Sequence, residues 1–442
     1  MLNSYIRISK MFLPTLSSYH TLENSQGSLD PLGLYSIADR LAGYLAPSLR
    51  ERMKHPRYLT AMAVGSIICE GFSEEELAAD EISPPWQVYE WYVASAFVKK
   101  YENDNNQLLG LPGREKTTRA KKEGIPLSST QYLKTPSVFG FHGVYRTLAK
   151  GIDLISDQGI GDFGIRLIDV WEQEQDLNGF RVGDGSNGKT FKKIFIDAVT
   201  NGLKAGKVEK PWSWGFYDTI AEKLAPKSPG KKEMALLYEK LTDDSSISRE
   251  ELIGFLISPE GKKALETESE KEFHIQFLSR ANEAKSILLA IQAYEKFSRL
   301  LFNAFYQCLK SMLKKQSKGS LVDFSKLEYV QKAFKELPDA YKELDEKLES
   351  FLPEAKEFSE RFMNLRESQN IQEWLKLLFD HHMIVQKQKP PRGGKAPWIM
   401  EHDHGNYLLN NTQALDQDLS DEYVHQYRTF CLQSFMKDLG KI

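Results

Sequence analysis

The chain has 442 residues, enough for roughly two to four domains and a substantial hydrophobic core. Hydrophobic residues make up 41% and charged residues 27% of the sequence, which is ordinary for a soluble globular protein. The formal net charge of −3 excludes a polycation that binds nucleic acid by bulk charge, so any such contact must come from a local basic patch.

The termini and cysteines indicate a cytoplasmic protein without membrane association. Arg7 and Lys10 interrupt the mildly apolar N-terminus and no small-residue cleavage site follows, which argues against a signal peptide. No window approaches the roughly 18 uncharged apolar residues that span a bilayer. Three widely separated cysteines provide neither a metal-binding pair nor a disulfide framework: Cys69, Cys308 and Cys431.

Helical spacing of apolar residues dominates the first predicted domain, residues 1–135. It predicts helices at about 32–45 and 61–69, and another that begins at Pro85 and carries several aromatic residues. Aromatic side chains grouped on one helix are more often core than ligand site. Residues 101–134 contain glycine, proline and a run of charges, which indicates a loop-rich interruption.

The second predicted domain, residues 136–228, has two interpretations. A helix at about 138–154, a short apolar tetrad with a glycine turn, and a second helix are typical of a winged-helix segment near residues 136–178. The same order is common in small helical domains, so both interpretations remain open. The Lys/Pro/Gly stretch at 225–232 is the best linker candidate.

The third predicted domain, residues 229–442, is a helical bundle with a small β-ribbon. Apolar residues recur at three-four-seven spacing from Ala281 to about Lys315, which predicts one long helix. Prolines are expected where helices begin. Helices are predicted at 324–337, 338–352, 353–365 and 421–439, and short strands at 383–386, 397–400 and 407–409 around a glycine-rich turn. The predicted fold class is mainly α and multi-domain.

Residues 183–190 match the phosphate-binding loop pattern G-x-x-x-x-G-K-[ST]. Such a loop cradles phosphates with backbone amides, its lysine reaches the outer phosphates, and its hydroxyl meets Mg²⁺. It must also follow a buried strand, and residues 171–182 read instead as a charged helix end. We interpret the segment as a helix-capping loop and keep an ATPase or nucleotide switch as the alternative, using Gly183, Gly188, Lys189 and Thr190.

Five of the nine histidines follow residue 380, which raises a second alternative, a metal-dependent nuclease. His402 and His404 flank Asp403, and two imidazoles with a carboxylate could hold Zn²⁺ or Mn²⁺ beside the pair His381–His382. Residues i and i+2 share a face only in a strand, and a polar turn is the default interpretation. We assign no cofactor and predict no catalytic residue.

Three basic clusters carry the main functional prediction. Cationic side chains beside a turn with an aromatic neighbour, here Tyr58 and Trp398, suit phosphate contact and base stacking. For any single cluster, a solvated loop is the alternative. The predicted nucleic-acid-binding residues are Arg50, Arg52, Lys54 and Arg57; Arg114, Lys116, Arg119, Lys121 and Lys122, with Arg146 on the next helix; and Lys387, Lys389, Arg392 and Lys395.

Four stretches of the first third of the chain resemble uncharacterised bacterial proteins encoded near DNA-processing and anti-phage genes. These are LDPLGL at 29–34, LRERMKHPRYLT at 49–60, LPGREK at 111–116 and YLKTPSVFGFHGVYR at 132–146. The resemblance implies a multi-protein system that acts on DNA, and no reaction. We therefore hypothesise a non-catalytic, DNA-associated accessory subunit of a bacterial defence or DNA-maintenance complex, which contacts the phosphate backbone and binds a motor or nuclease partner.

Overall fold

A computed structural model describes residues 30–73, 75–157, 159–243, 246–349, 351, 355–389, 392–410 and 419–442. The protein is mainly helical with two small antiparallel sheets, which confirms the predicted fold class. The chain divides into two compact units, each discontinuous in sequence. The contiguous ranges 1–135, 136–228 and 229–442 do not follow these boundaries, because the chain returns to each unit after leaving it.

The structure has fourteen helices and two short strands in the described residues up to 278. In chain order they are α1 (Tyr35–Leu45), α2 (Tyr58–Cys69), α3 (Pro85–Tyr101), α4 (Asn105–Leu108), α5 (Arg114–Glu123), α6 (Pro136–Phe139), α7 (Phe141–Gly151), β1 (Ile155–Ser156), β2 (Gly159–Ile160), α8 (Asp162–Glu174), α9 (Ser186–Ala205), α10 (Phe216–Leu224), α11 (Lys231–Leu241), α12 (Ile247–Ile257), α13 (Pro259–Leu265) and α14 (Glu270–Leu278).

The remaining elements include the longest helix and a three-stranded sheet. They are α15 (Lys285–Leu313), β3 (Lys318–Ser320), α16 (Leu321–Phe324), α17 (Glu328–Leu348), α18 (Ala355–Glu367), α19 (Ile371–Gln388), β4 (Ile399–Asp403), β5 (Asn406–Leu409) and α20 (Thr429–Asp438). Among the described residues, no helix has both the length and the apolar character that crossing a membrane requires.

The larger unit comprises Ala38–Leu301, Glu336–Met363 and Ser420–Ile442, and its core is built around α2 and α3. Both helices are buried on nearly every face, as their apolar sequences require. Gly65 of α2 lets them approach closely, since a Cβ at this position would lie 2.6 Å from the Tyr89 ring. The Tyr89 hydroxyl donates a hydrogen bond to the Ala61 carbonyl at 2.7 Å.

The smaller unit contains residues 302–335 and the described parts of 30–37 and 364–419. Its sheet has the strand order β3-β5-β4, with Gly319 opposite Tyr407 and Glu401 opposite Tyr407 on the other side. The predicted strands near 397–400 and 407–409 are therefore confirmed as β4 and β5. The three-residue strand β3 was not expected, because Lys-Gly-Ser shows no apolar alternation.

Four local predictions differ from the structure. The stretch 101–134, predicted as a loop-rich interruption, contains the helices α4 and α5, because a run of charged helix-forming residues has no apolar period that would reveal a helix. Residues 383–386 lie in α19 and not in a strand, because a short apolar run has no diagnostic period and the helix continues through it. Pro338 lies inside the single helix α17 and does not begin a new one. The last helix begins at Thr429 and not near residue 421.

The helix-ribbon-helix order predicted around residues 138–171 is present as α7, β1–β2 and α8. The ribbon pairs Ile155 with Ile160 and Ser156 with Gly159. Each strand has only two residues, so the ribbon does not form an extended wing. The winged-helix interpretation therefore rests on the order of the elements alone.

Candidate nucleic-acid interface

The helix α5 presents a cationic face because of where its small residues lie. It begins after Gly113 and ends at Gly124, both in left-handed backbone conformation, and the Gly124 amide donates to the carbonyls of Ala120 and Lys121. Thr117 and Ala120 are buried, and the helix packs against α3. The 3.6-residue period therefore leaves the remaining positions, rich in lysine and arginine, toward solvent.

Three cations of α5 are exposed: Lys116, Arg119 and Lys122. Within the described part of the chain, none of them forms a salt bridge or a hydrogen bond. The two other cations are engaged, since Arg114 donates to Asn105 Oδ1 and Lys121 pairs with Glu102. Glu115 and Glu123 are exposed as well, so the solvent face of the helix carries three cations and two carboxylates and keeps a small positive charge in a protein whose net charge is −3.

A pocket of about 540 Å³ adjoins the C-terminal end of α5. Gly124, which caps the helix, is part of its wall, and residues 207–212 form the opposite side. An isolated antiparallel bridge between Ser128 and Lys207 holds the two segments together. The half-buried Trp212 is fixed by a hydrogen bond from Nε1 to the Ile125 carbonyl at 3.2 Å.

Two lysines accompany Trp212 in this pocket. Lys207 is exposed, and the Lys210 ammonium lies 5.5 Å from the centre of the Trp214 ring. Sites for single-stranded nucleic acid combine two features: cations that contact phosphates and an accessible aromatic ring on which a base stacks. Both features are present in this pocket. Lys207, Lys210 and Trp212 are not among the predicted binding residues, and the string Lys-Val-Glu-Lys-Pro-Trp at 207–212 is the signal that could have identified them.

The structure excludes one predicted member of the first basic cluster. Arg57 is completely buried, and its guanidinium donates to Glu233 and to the carbonyl oxygens of Lys223, Ala225 and Ser228. A guanidinium with these partners cannot reach a phosphate, so the assignment of Arg57 to a nucleic-acid surface was wrong.

The other members of the first cluster lie near α7. Arg50 donates to the Thr147 hydroxyl at 3.0 Å, and the Arg52 guanidinium lies 4.5 Å from the centre of the Phe139 ring. The Lys54 side chain is half-buried. Tyr58, the expected stacking partner, is completely buried and is therefore unavailable to a base.

The third cluster, Lys387 to Lys395, also has an engaged cation and a buried aromatic neighbour. Lys387 and Arg392 are exposed and Lys395 is half-buried, but Lys389 donates to the Asp30 carbonyl oxygen. Burial, together with the nearby Lys395 ammonium, lowers the pKa of Lys389 to about 8. Trp398 is buried, so this cluster also lacks the accessible aromatic ring that the sequence suggested.

The segment matching the phosphate-binding loop forms a helix N-terminus. Residues 175–185, all of which the structure describes, contain no strand, and α9 begins at Ser186 within the motif. The Gly188 amide donates to the Asn178 carbonyl at 3.1 Å, and a Cβ on Gly188 would lie 2.1 Å from the Leu177 carbonyl oxygen. Lys189 pairs with Asp184 at 3.0 Å. Gly183, Gly188, Lys189 and Thr190 therefore form a capped helix start, without the strand-tip geometry of a nucleotide site.

The late histidines do not converge on a metal site in the described ranges. His402, Asp403 and His404 are exposed at the end of β4, and the structure brings no group of three potential ligands together among the residues it describes. His382 Nδ1 bonds to the Pro31 carbonyl at 2.8 Å, and Nε2 accepts from the Trp398 amide at 2.9 Å. His381 Nε2 bonds to the Leu32 carbonyl, so this pair holds the smaller unit together.

Comparisons with protein-family models, curated proteins and solved structures found no match to this chain.

Proposed function

We propose that the protein is a non-catalytic nucleic-acid-binding subunit that contacts DNA through α5 and the adjoining pocket. The observation that carries this proposal is the exposed face of Lys116, Arg119 and Lys122, three cations that form no ion pair with the described residues. A charge without a protein partner is available to a phosphate, and its counterions are released when the phosphate binds.

The pocket beside α5 indicates which form of DNA the protein prefers. Trp212 offers a planar face, and Lys207 and Lys210 flank it. Stacking of a base on an aromatic ring requires an unpaired, accessible base, which a single strand or a strand end provides. The preferred ligand in this proposal is therefore single-stranded DNA or a duplex with a single-stranded extension.

The wider setting of this activity comes from the resemblance to proteins encoded near DNA-processing and anti-phage genes. In that setting the protein is an accessory subunit of a bacterial defence or DNA-maintenance complex, and a motor or nuclease partner carries out the reaction on DNA. Pull-down of the tagged protein from its native host, with and without nuclease treatment, tests this part. Recovery of no specific protein under either condition would contradict it.

Fluorescence anisotropy with labelled single-stranded and duplex DNA tests the binding itself. We expect affinity to fall steeply between roughly 50 and 200 mM salt, because phosphate contacts release counterions. The triple variant Lys116→Glu, Arg119→Glu, Lys122→Glu should lose most of this binding. Trp212→Ala should weaken single-strand binding by about 1–3 kcal/mol and duplex binding by less.

A two-residue charge reversal on another helix serves as the control. Lys262 and Lys263 are exposed on α13, so Lys262→Glu with Lys263→Glu changes the net charge without touching the proposed surface. The control variant should bind nearly as wild type. Equal losses in the triple and control variants, or no binding of any DNA at low salt, would remove the proposal.

A further inference from the structure

A second and larger cavity of about 760 Å³ lies in the same unit as α5. Its walls come from the C-terminal end of α2, the N-terminal end of α3, α7 and the β1–β2 ribbon. The volume falls in the range of about 300–1,000 Å³ that is usual for sites of small organic ligands. Much of the wall is apolar, with Met62, Phe72, Phe141 and Ile160 among the lining residues.

A stacked pair of rings stands in this wall. The Trp86 and His142 rings lie 4.7 Å apart at an angle of 22°, and both side chains are half-buried. Burial, with the charges of Arg146 and Lys150, lowers the pKa of His142 to about 4, so the imidazole is neutral at pH 7. Among the described residues, neither ring nitrogen of His142 has a hydrogen-bond partner, which leaves one donor and one acceptor for a ligand.

Arg146 supplies positive charge beside this pair of rings. It follows His142 by one helical turn of α7, so both side chains lie on the same face. Three carboxyl groups also line the cavity: that of Asp157 is held by Lys150, that of Glu90 accepts a hydrogen bond from the Tyr132 hydroxyl, and Glu70 is exposed. The half-buried Arg146 guanidinium forms no salt bridge or hydrogen bond with a described residue, and a guanidinium in this state matches an oxyanion with two oxygens.

We propose that this cavity binds a nucleotide with a terminal phosphate. The base extends the Trp86–His142 stack, while Arg146 binds the phosphate. A cationic ligand would face Arg146 unfavourably, and an aliphatic anion would leave the stacked rings unused. Two sources offer this chemistry: a free nucleoside monophosphate, and the 5′-phosphorylated end of a DNA strand. The second source rests on the proposed DNA binding, and the first does not.

Calorimetric titration of the full-length protein with AMP, GMP, CMP and UMP tests the cavity, with adenosine and inorganic phosphate as half-ligands. We expect at least one monophosphate to bind at least about tenfold more tightly than either half-ligand, because only the whole nucleotide uses both parts of the site. Arg146→Gln should reduce monophosphate affinity about tenfold and leave nucleoside affinity unchanged. Trp86→Leu should weaken both, and Trp86→Phe should restore most of the loss.

The source of the nucleotide is decided by comparing 5′-phosphorylated and 5′-hydroxyl strands of about ten nucleotides, a length typical of single-strand sites. Tighter binding of the phosphorylated strand, lost in Arg146→Gln, assigns the strand end; binding of free monophosphates alone assigns the free nucleotide. The triple variant of α5 should keep monophosphate binding, which separates failure of this site from failure of DNA binding. No binding of any monophosphate or phosphorylated strand, or full affinity in a folded Arg146→Gln variant, would overturn the proposal.

Discussion

The Arg57 guanidinium and the Glu233 carboxylate form a fully buried ion pair in the larger unit, with 3.1 Å between Nε and Oε1. The carboxylate also accepts a hydrogen bond from the Thr60 hydroxyl at 2.6 Å. The pair therefore ties α2 to the start of α11. Arg57, which the sequence groups with a basic surface cluster, is therefore part of the core.

Replacing Arg57 with Met should destabilise the protein by about 3–5 kcal/mol, because Glu233 would remain buried without its counter-charge. Urea unfolding followed by circular dichroism measures this loss. The double variant Arg57→Met with Glu233→Met should recover part of it, since the uncompensated charge is then gone. The exposed pair Lys296–Glu343 is the matched control, and Lys296→Met should cost at most about 1 kcal/mol. A single Arg57→Met variant as stable as this control would contradict the buried pair.

If residues 183–190 only start the helix α9, substitutions there should affect stability and not nucleotide binding. Gly188→Ala should destabilise the protein by about 1–3 kcal/mol, since the new methyl group would meet the backbone at Leu177 and Phe180. Lys189→Ala should change the melting temperature little, because its pair with Asp184 is exposed. Thermal melting with and without Mg-ATP checks both. A stabilisation by Mg-ATP that Lys189→Ala abolishes would restore the nucleotide hypothesis.

The buried carboxyl group of Glu90 should make stability depend on pH in an unusual direction. Burial raises its pKa from 4.5 to about 7, although the Tyr132 hydroxyl donates to Oε1 and the backbone amides of Phe141 and His142 lie nearby. Among the described residues, Oε2 has no well-formed hydrogen bond. The folded state therefore holds the proton more tightly than the unfolded state, and this group's contribution to stability is lost as the pH rises from about 4.5 through 7. Glu90→Gln keeps the oxygen that Tyr132 needs and removes the charge. It should be more stable than wild type at pH 8 and nearly equal to it at pH 4.5.

The variant Glu270→Gln serves as the comparison for Glu90→Gln, because it also removes a buried carboxyl group but disturbs hydrogen bonds to the backbone. Burial also raises the pKa of Glu270 to about 7, but its two carboxylate oxygens each accept a backbone amide, from Tyr427 and from Thr429. In Glu270→Gln one of these amides would face a donor and lose its partner. We expect lower melting temperatures at both pH values. A gain in stability at pH 8 equal to that of Glu90→Gln would show that the amide contacts are unimportant.

The proline inside α17 should be replaceable with a gain in stability. Pro338 lies ten residues after the start of the helix and has no amide hydrogen to donate to the carbonyl four residues earlier. Pro338→Ala restores this donor and should stabilise the protein by up to about 3 kcal/mol. Differential scanning calorimetry measures the change. A lower melting temperature would mean that the helix requires the bend that proline imposes.

Local pattern predicted the helices whose apolar residues mark one side, and missed α5, whose sequence is almost entirely polar. The spacing of Ile287, Ile291, Leu301 and Phe305 belongs to one side of a helix in any context, and α15 follows it. The two errors at Pro338 and at residues 383–386 share a cause. Proline at a helix start and proline within a helix look alike over a few residues, and so do a short strand and one turn of an apolar helix.

The site depended on contacts that a linear pattern does not contain. Arg57 stands between other cations in the sequence, and its partner Glu233 lies 176 residues further along the chain. Tyr58 and Trp398 were expected beside the basic clusters, and both are buried. The accessible ring near α5 is Trp212, which the bridge between Ser128 and Lys207 brings to it.

The sequence by itself determined that this protein is mainly helical, where most helices lie, and that any positive charge must be local. Only the tertiary structure decided which cations face solvent: Lys116, Arg119 and Lys122 are exposed, while Arg57 is enclosed. The reason is that helix formation depends on neighbours three or four positions apart, whereas the burial of a charge depends on residues from distant parts of the chain.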